Sequence, residues 1–400
     1  MALTATIYGG DIQLSGNPIR IKVAGGTAPA GSTHYKYTLK VISVDGELAG
    51  APFIDAIAPD GAGEALFDIS GLVDQPVKKA FEYPESTLIK SYTNQVFSIK
   101  AQPGESYIDS NGDLQETWGT ESETFSCIKG GVSQRQLNQW LTNSTNFYTT
   151  YIVAKRWLTL RPWGDFVHPN QPVKLFFMTS GTVTLDFVIT CYFDDASSTT
   201  ITRSTTMNAG NIYEYMCNPK SHGTNLQPTG KRATHFDCVL KSGGTNYSNS
   251  FRFTYDWKSC ERPYFLMFAN SIGGVDDVFL AGFAEESFQT EGTVVTRPAT
   301  MQDDVVDPTL IIPNRKGRNT WSISTGWKTA SQMRHLRDLM LSRQAWLLYP
   351  NLSVSNYIVI PVIVEPGGKT IVNYMENIFA MEIEIIEAHD NMYGFDNSLY

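Results

Sequence analysis

Apolar and polar positions alternate with a period of two along much of this chain. Ile19, Ile21 and Val23 are interleaved with Arg20 and Lys22 after a Gly16-Asn17-Pro18 turn, the pattern of a strand with one buried face. Tyr35, Tyr37, Leu39 and Val41 repeat it against Lys36, Thr38 and Lys40, and Asp45-Gly46 reads as a hairpin turn. A further strand is expected at 65–69. Pro76 to Pro84 lead out of this first unit, expected to be a β-sandwich over residues 1–84.

A second β unit is expected over 85–171. Val96 to Lys100 reads as a strand, and Asn111-Gly112 as a type I′ hairpin. The surrounding Asp109 and Asp113 superficially suggest a calcium loop, but glycine falls at its fourth position instead of the sixth, and the twelfth is not glutamate. Leu137, Trp140 and Leu141 share a face at helical spacing within 132–141, predicting one short helix against the sheet. The apolar run 147–160 then reads as a strand, ended by Arg161-Pro162-Trp163-Gly164.

A second sandwich is expected over 172–298. Val173, Leu175 and Phe177 alternate with Lys174 and Phe176, 182–193 has period-two character, and Phe251 to Tyr255 resumes it. Residues 218–229 read as a long loop. After a Pro- and Asp-containing connector at 298–314, a small α+β unit is expected over 299–400. Its helix opens with Thr329 and Gln332 in capping-box spacing, and Met333, Leu336, Leu339 and Met340 form the buried stripe. Strands follow at 346–349 and 357–364, separated by Asn351-Leu352-Ser353. In the last strand Met381, Ile383 and Ile385 oppose Glu382 and Glu384, with Glu387 near that solvated face. The fold class is therefore mainly β, a multi-domain β-sandwich architecture with a small α+β C-terminal unit.

Composition narrows the functional classes. Charged residues make up only 18% and aromatics 12%, which suits sheets with neutral outer faces that assembly covers. A formal charge of −9 opposes nonspecific nucleic-acid binding; Arg315, Lys316 and Arg318, the tight basic cluster, are expected in a solvated turn. The opening residues lack a basic segment followed by a long apolar run, so no classical signal peptide is expected. No stretch of 18 apolar residues is present to cross a bilayer. Cys127, Cys191, Cys217, Cys238 and Cys260 lack paired CxxC spacing and read as core thiols. A Cys191–Cys217 or Cys238–Cys260 bridge stays open.

Candidate chemistry is sparse. Asp276-Asp277 is the most conspicuous carboxylate pair, but adjacent strand residues point to opposite faces, and the expectation is turn and edge-strand solvation. Glu285-Glu286 has the same geometry. His34, His168, His222, His235, His335 and His389 form neither HExxH nor HxH; His235 and Cys238 sit three apart in a strand-like run. Ser126-Cys127 and Ser259-Cys260 have no recognisable base. Gly273-Gly274 and Gly367-Gly368 read as turns. The expectation is no catalytic residue, metal or cofactor. Among eight tryptophans, Trp157 and Trp346 read as core, while Trp163 and Trp327 are the better candidates for exposed stacking surfaces.

The segment from Arg262 through Asn270, Gly273, Gly274 and Asp276 to Phe279 and Gly282 resembles a pattern in structural proteins of phages and prophages from Bacteroidetes bacteria. There, an aromatic-rich strand runs into Asn-x-x-Gly-Gly-x-Asp, then an aromatic strand and glycine. Thr325-Gly326, the capped helix ending at Ser342 and the strand 379–388 agree with it over roughly 258–390; Gly16-Asn17-Pro18-Ile19 adds a weaker match. The resemblance implies virion, tail or baseplate assembly and no enzymatic role. It places the chain in the virion, or in the bacterial cytoplasm before assembly, as a homo-oligomer among other virion structural proteins. The alternative, from the aromatic supply, is a surface or secreted carbohydrate-binding β protein with a glycan partner.

Overall fold

A computed structural model describes residues 2–44, 53–75, 77, 87–93, 95–257, 263–296, 310–312, 315–350, 357–365 and 379–389. The chain folds as a mainly β, multi-sheet protein with a small helical region near its C-terminal end. Its first strands are β1 (Thr4–Ile7), β2 (Ile12–Leu14), β3 (Arg20–Ala24), β4 (Thr33–Ser43), β5 (Phe53–Ile57) and β6 (Glu64–Asp68). The short helix α1 (Ser70–Asp74) precedes β7 (Ile89–Tyr92), β8 (Val96–Ile108), β9 (Leu114–Trp118) and β10 (Phe125–Ile128). A three-stranded sheet, β1-β3-β6, packs on a second of order β2-β10-β8-β4-β5, with β9 on β8. Ile21, Val23 and Phe67 meet Leu39, Val41, Phe97 and Ile99 between them, all essentially sealed from water. The period-two alternation dictates this arrangement, because one register shift would turn the whole apolar set outward.

β4 and β8 pair antiparallel over most of their length, from Thr33↔Ile108 to Ser43↔Ile99. Strands on both sides of residue 84 thus share one sheet. The hairpin between β8 and β9 is present, but its turn differs from expectation. Gly112 alone has positive φ (+88°), whereas type I′ needs it at Asn111 as well. Asp109 instead accepts from the Asn111 and Asp113 amides (2.9 and 3.0 Å), an Asx-led turn closed by the glycine. The Asp45-Gly46 turn and Pro76 to Pro84 exit lie outside the described residues in whole or in large part.

The middle of the chain carries α2 (Gln134–Thr142), a π-helical turn Tyr148–Val153, then β11 (Asp165–Val167), β12 (Lys174–Met178), β13 (Val183–Phe193) and β14 (Ser198–Met207). Next come β15 (Ile212–Met216), a short 3-10 turn Pro219–His222, β16 (Ala233–Ser242), β17 (Thr245–Asn246) and β18 (Phe251–Tyr255). One sheet runs β11-β18-β16-β13-β14, with β17 on β16; the facing sheet is β12-β15-β7. Between them Trp157, Phe177, Phe187, Tyr215, Phe236 and Phe253 form an aromatic core. Every residue of β12 is buried, because its second face abuts the C-terminal body, where Phe176 and Met178 join another core. Lys174 follows Val173 into this sealed layer and pairs with Glu214 at 2.9 Å.

Two expectations fail here. The run 147–160 is helical and irregular instead of a strand: Asn146 accepts from the Thr149 amide at 2.8 Å, starting a turn in which Phe147 and Tyr151 stack at 5.4 Å. A short apolar run does not by itself distinguish strand from buried helix. In α2, Trp140 is buried but Leu141 is 73% exposed; one residue of helix rotates it about 100° from Trp140.

The C-terminal body contains β19 (Tyr264–Ala269), β20 (Val275–Leu280), β21 (Ala284–Glu291), β22 (Val295–Thr296), β23 (Leu310–Ile311) and β24 (Lys316–Ser324). It ends with α3 (Ala330–Leu341), β25 (Ala345–Pro350), β26 (Tyr357–Val364) and β27 (Glu382–Glu387). Seven strands form one sheet of order β20-β19-β25-β26-β27-β24-β21, while β22 and β23 pair separately. The capping box of α3 is complete: the Thr329 hydroxyl accepts from the Gln332 amide, and the Gln332 side chain accepts from the Thr329 amide. Met333, Leu336 and Leu339 then bury against Ile360, Val362, Ile383 and Ile385. Lys316 and Arg318 lie within β24, opposite Glu291 and Gln289. Lys316 and Arg318 are therefore exposed strand and not turn, because cross-strand carboxylate and amide groups favour the extended form, while Arg315 is exposed just before the strand begins. Parts of the connector 298–314, the Asn351 turn and Gly367-Gly368 lie outside the described residues.

Candidate functional site

Asp276 and Asp277 stand where the three regions meet, and neither is solvated. β20 is an edge strand, yet the two aspartates are 1% and 0% exposed. The segment before β11 lies against that edge. Its Arg161, fully sealed, brings Nη2 within 2.6 Å of Asp277 Oδ1 and Nε within 4.0 Å of Asp276 Oδ1. The guanidinium also donates to the Asp277 backbone carbonyl, so one side chain covers the edge and neutralises residues of opposite orientation. Gln171 donates to Asp277. Asp276 accepts from the Thr159 hydroxyl at 2.7 Å and meets His335 Nε2 of α3 at 3.0 Å. Gln332, also on α3, donates to Asp165 at 2.9 Å, and Asp165 faces Arg161 at 3.9 Å.

Burial works against the ionised Asp276, but His335, Arg161 and the Thr159 hydroxyl overcome it and hold its pKa below the usual carboxylate range. Burial likewise opposes the Arg161 charge, and Asp277, Asp165 and Asp276 more than restore it. These opposed charges balance one another in a sealed joint. Acid–base work on a glycoside would need two carboxylates lining an open cleft; here both carboxylates are occupied by the protein.

The glycine-rich pattern serves the same joint. Asn270 Oδ1 accepts from the amides of Ile272 and Gly274 (3.1 and 2.8 Å), while its amide donates to the Leu158 carbonyl at 2.9 Å. Gly273 has φ +98°, and a Cβ there would meet Ile128 Cδ1 at 2.5 Å; at Gly274 it would meet the Leu158 carbonyl oxygen at 2.2 Å. The turn between β19 and β20 is therefore clamped against both preceding regions. The Asp338 carboxylate accepts from the Ser271 amide at 2.8 Å.

An open groove lies elsewhere, between the outer face of β1-β3-β6 and α2. It encloses about 480 Å3, within the usual range of roughly 300–1,000 Å3 for ligand-sized pockets. Tyr8, Leu66 and Leu141 stand on its lining at 46%, 51% and 73% exposure, with Trp140 and Phe147 deeper. Lys22 is held by Glu64 at 3.0 Å; that carboxylate, with Tyr8 nearby, raises the lysine pKa. Arg20 has no carboxylate partner, and the Trp140 indole N–H no acceptor, among the described residues. The groove combines apolar walls with unspent donors. The sequence does not reveal it because its residues come from three separated stretches, 8–22, 60–66 and 134–147, and are unremarkable singly.

Other candidates separate cleanly. Trp163 and Trp327 are exposed (65% and 69%), whereas Trp157 is buried. Arg252 lies over the Trp163 ring at 5.1 Å and forms a two-point pair with Asp237, both contacts at 2.7 Å. His235 stacks on Tyr192 at 4.6 Å and lies with Cys238 in β16, as strand. Cys127, Cys191, Cys217 and Cys238 are buried free thiols, so no Cys191–Cys217 bridge forms; Cys260 lies outside the described residues. Glu285 and Glu286 are exposed on β21. Among the described residues no His, Cys, Asp and Glu cluster is arranged to hold a metal, and no helix is long and apolar enough to cross a membrane.

No family model and no curated protein matches the chain. Among solved structures, a marsupial T cell receptor matches at 11% identity over 81% of this chain and 96% of its own, with a TM-score of 0.16. At that score the two backbones do not superpose, and the match carries no argument about fold or function.

Proposed function

We propose that this protein is a structural component of a phage or prophage particle, of the tail or baseplate, that works by associating with further copies of itself. The observation that carries the assembly reading is the β21–β24 arm. Every residue of β21 after Ala284 is exposed, although eight residue pairs tie it to β24. Apolar side chains decorate it and its continuation: Phe283 is 80% exposed, Phe288 49%, Val294 59% and Leu310 60%. An edge strand with uncovered apolar residues is a pairing surface unless something protects it. The virion setting rests on the resemblance over 258–390 and implies residence in the particle, or in the bacterial cytoplasm beforehand. Size-exclusion chromatography with light scattering tests the assembly reading: oligomers are expected, and a strict monomer at millimolar concentration would sink it.

A second reading, glycan binding, is favoured by the exposed Trp163 beside the Arg252–Asp237 pair, which joins a stacking face to fixed polar groups. Binding to a broad glycan panel that Trp163→Ala abolishes would support it; a blank panel would remove it.

A further inference from the structure

We propose that Lys174 and Glu214 condense within the folded protein into an intramolecular amide, a self-formed cross-link between β12 and β15. The cross-link does not depend on the assembly reading. Strand register brings the pair together: Lys174 lies opposite Met216 and Phe176 opposite Glu214, so the two side chains are diagonal neighbours on one face. On that face Phe176 and Ile212 belong to the core shared with the C-terminal body. Lys174 is 0% exposed and Glu214 3%. Nζ stands 2.9 Å from Oε1, one carbon–oxygen bond from the carbon it would attack. On the other flank of Glu214, β7 places Tyr92 opposite Ile212, and the Tyr92 hydroxyl donates to Glu214 Oε2 at 2.6 Å. Amine, carboxyl and hydroxyl donor are thus held together in a water-excluded layer, where fixed geometry replaces a chance encounter.

Burial pushes the Lys174 ammonium toward the neutral, nucleophilic amine, against the opposing pull of Glu214 and Asp277. A sealed ion pair is also costly to desolvate, whereas an amide carries no charge. The step balances without a co-reactant. Nζ passes one proton to Oε1, leaving an amine beside a carboxylic acid, and its lone pair then forms a bond to Cδ. The Tyr92 hydroxyl stabilises the charge that gathers on Oε2. Nζ gives a second proton to Oε1, the Cδ–Oε1 bond breaks, and Oε1 leaves as water. The nitrogen keeps one hydrogen as an amide. Lys90 is the competing amine, because it lies opposite Glu214 in the β7 ladder, with its Nζ over the Tyr92 ring at 5.2 Å.

Denaturing mass spectrometry of the full-length protein, purified in its folded form, reads the bond directly. The intact mass should fall about 18 Da, one water, below that of the sequence. Tryptic digestion should then yield a branched peptide that joins Lys174 to Glu214 and is uncut at Lys174. Lys174→Arg keeps the cation but withholds the reactive amine, and should restore the full mass. A wild-type chain at full mass overturns the proposal whatever the variant does. So does a water loss mapped elsewhere, to a Lys90–Glu214 link or to a cyclised Asp45-Gly46. A Lys174→Arg chain that keeps the loss overturns it as well.

Discussion

Replacing Arg161 with Met removes the cation that holds the three regions together while keeping most of its aliphatic stem. In the native joint the guanidinium is fully sealed, lies 2.6 Å from Asp277, and has Asp165 and Asp276 at 3.9 and 4.0 Å. Methionine replaces the packing but leaves these carboxylates without their cation. Removing one member of a buried ion pair costs about 3–5 kcal/mol, a large share of the roughly 5–15 kcal/mol that stabilises a typical protein. Urea unfolding at pH 7 should show that deficit. Asp277→Asn added to Arg161→Met should recover much of it, since the amide still accepts from Gln171 and carries no charge. Acid provides an independent check. Asp276 has a depressed pKa in the folded protein, so its stabilising contribution is present above the unfolded value of about 3.9 and lost as pH falls through the folded value. The gap between wild type and variant should therefore be full at pH 7 and narrow below about pH 4. A deficit under about 1 kcal/mol, or one indifferent to acid, would refute the reading of Arg161 as the neutralising group of this joint.

Leu336→Ala removes a sealed side chain from the α3 face and should cost about 2–5 kcal/mol by chemical denaturation; a change below about 0.5 kcal/mol would remove that face from the core. Gly273→Ala combines φ +98° with a Cβ collision against Ile128, so it should destabilise by more than about 1 kcal/mol, and a neutral result would show that the turn relaxes freely. His168 is pushed down to about 4, chiefly by burial and further by Lys220, with Asp256 opposing. Its folded pKa lies below the unfolded value of about 6.5, so stability is full above that value and falls between about 6.5 and 4; proton NMR of the imidazole should show the late titration. Charge reversal at Glu382 and Glu384, exposed on β27, should change stability by less than about 0.5 kcal/mol, read by thermal melts.

Legibility in this sequence followed the range of each interaction. Strands with one wet face announce themselves, because Ile19/Arg20/Ile21/Lys22 or Met381/Glu382/Ile383/Glu384 encode burial locally. The α3 helix was equally plain: Thr329 and Gln332 mark its start, and its stripe follows. Failures arose where distant chain supplies the environment. β12 is buried on both faces because β20 and its neighbours cover the second one, and nothing in Lys174-Leu175-Phe176 distinguishes that lysine from a solvated one. Its partner Glu214 lies forty residues away, at 2.9 Å. The 147–160 run misled for a different reason, since its apolar residues suit either period and Asn146 decides between them by capping a turn.

The same distinction governs the conspicuous aspartates. Their adjacency correctly implied opposite orientations, and the inference to solvation failed because it omitted a third body. An edge strand is wet only if no other segment reaches it. Here the Arg161 segment does, and its one guanidinium can meet both side chains only because it lies across the strand edge, next to the Asp277 carbonyl. That geometry also accounts for the Asn-x-x-Gly-Gly-x-Asp pattern. Asn270 shapes the turn and seizes Leu158, Gly273 and Gly274 let the backbone approach Ile128 and Leu158, and Asp276 receives Thr159 and His335. Each position in the pattern meets a region distant in sequence. A motif of this kind resembles a site in sequence because its residues are polar and closely spaced, but its ligands are other parts of the same chain. Residues free to act on a partner should instead be those with donors or apolar area left over. Among the described residues, those lie along the groove, at Arg20, Trp140, Leu66 and Leu141, and on the β21–β24 arm.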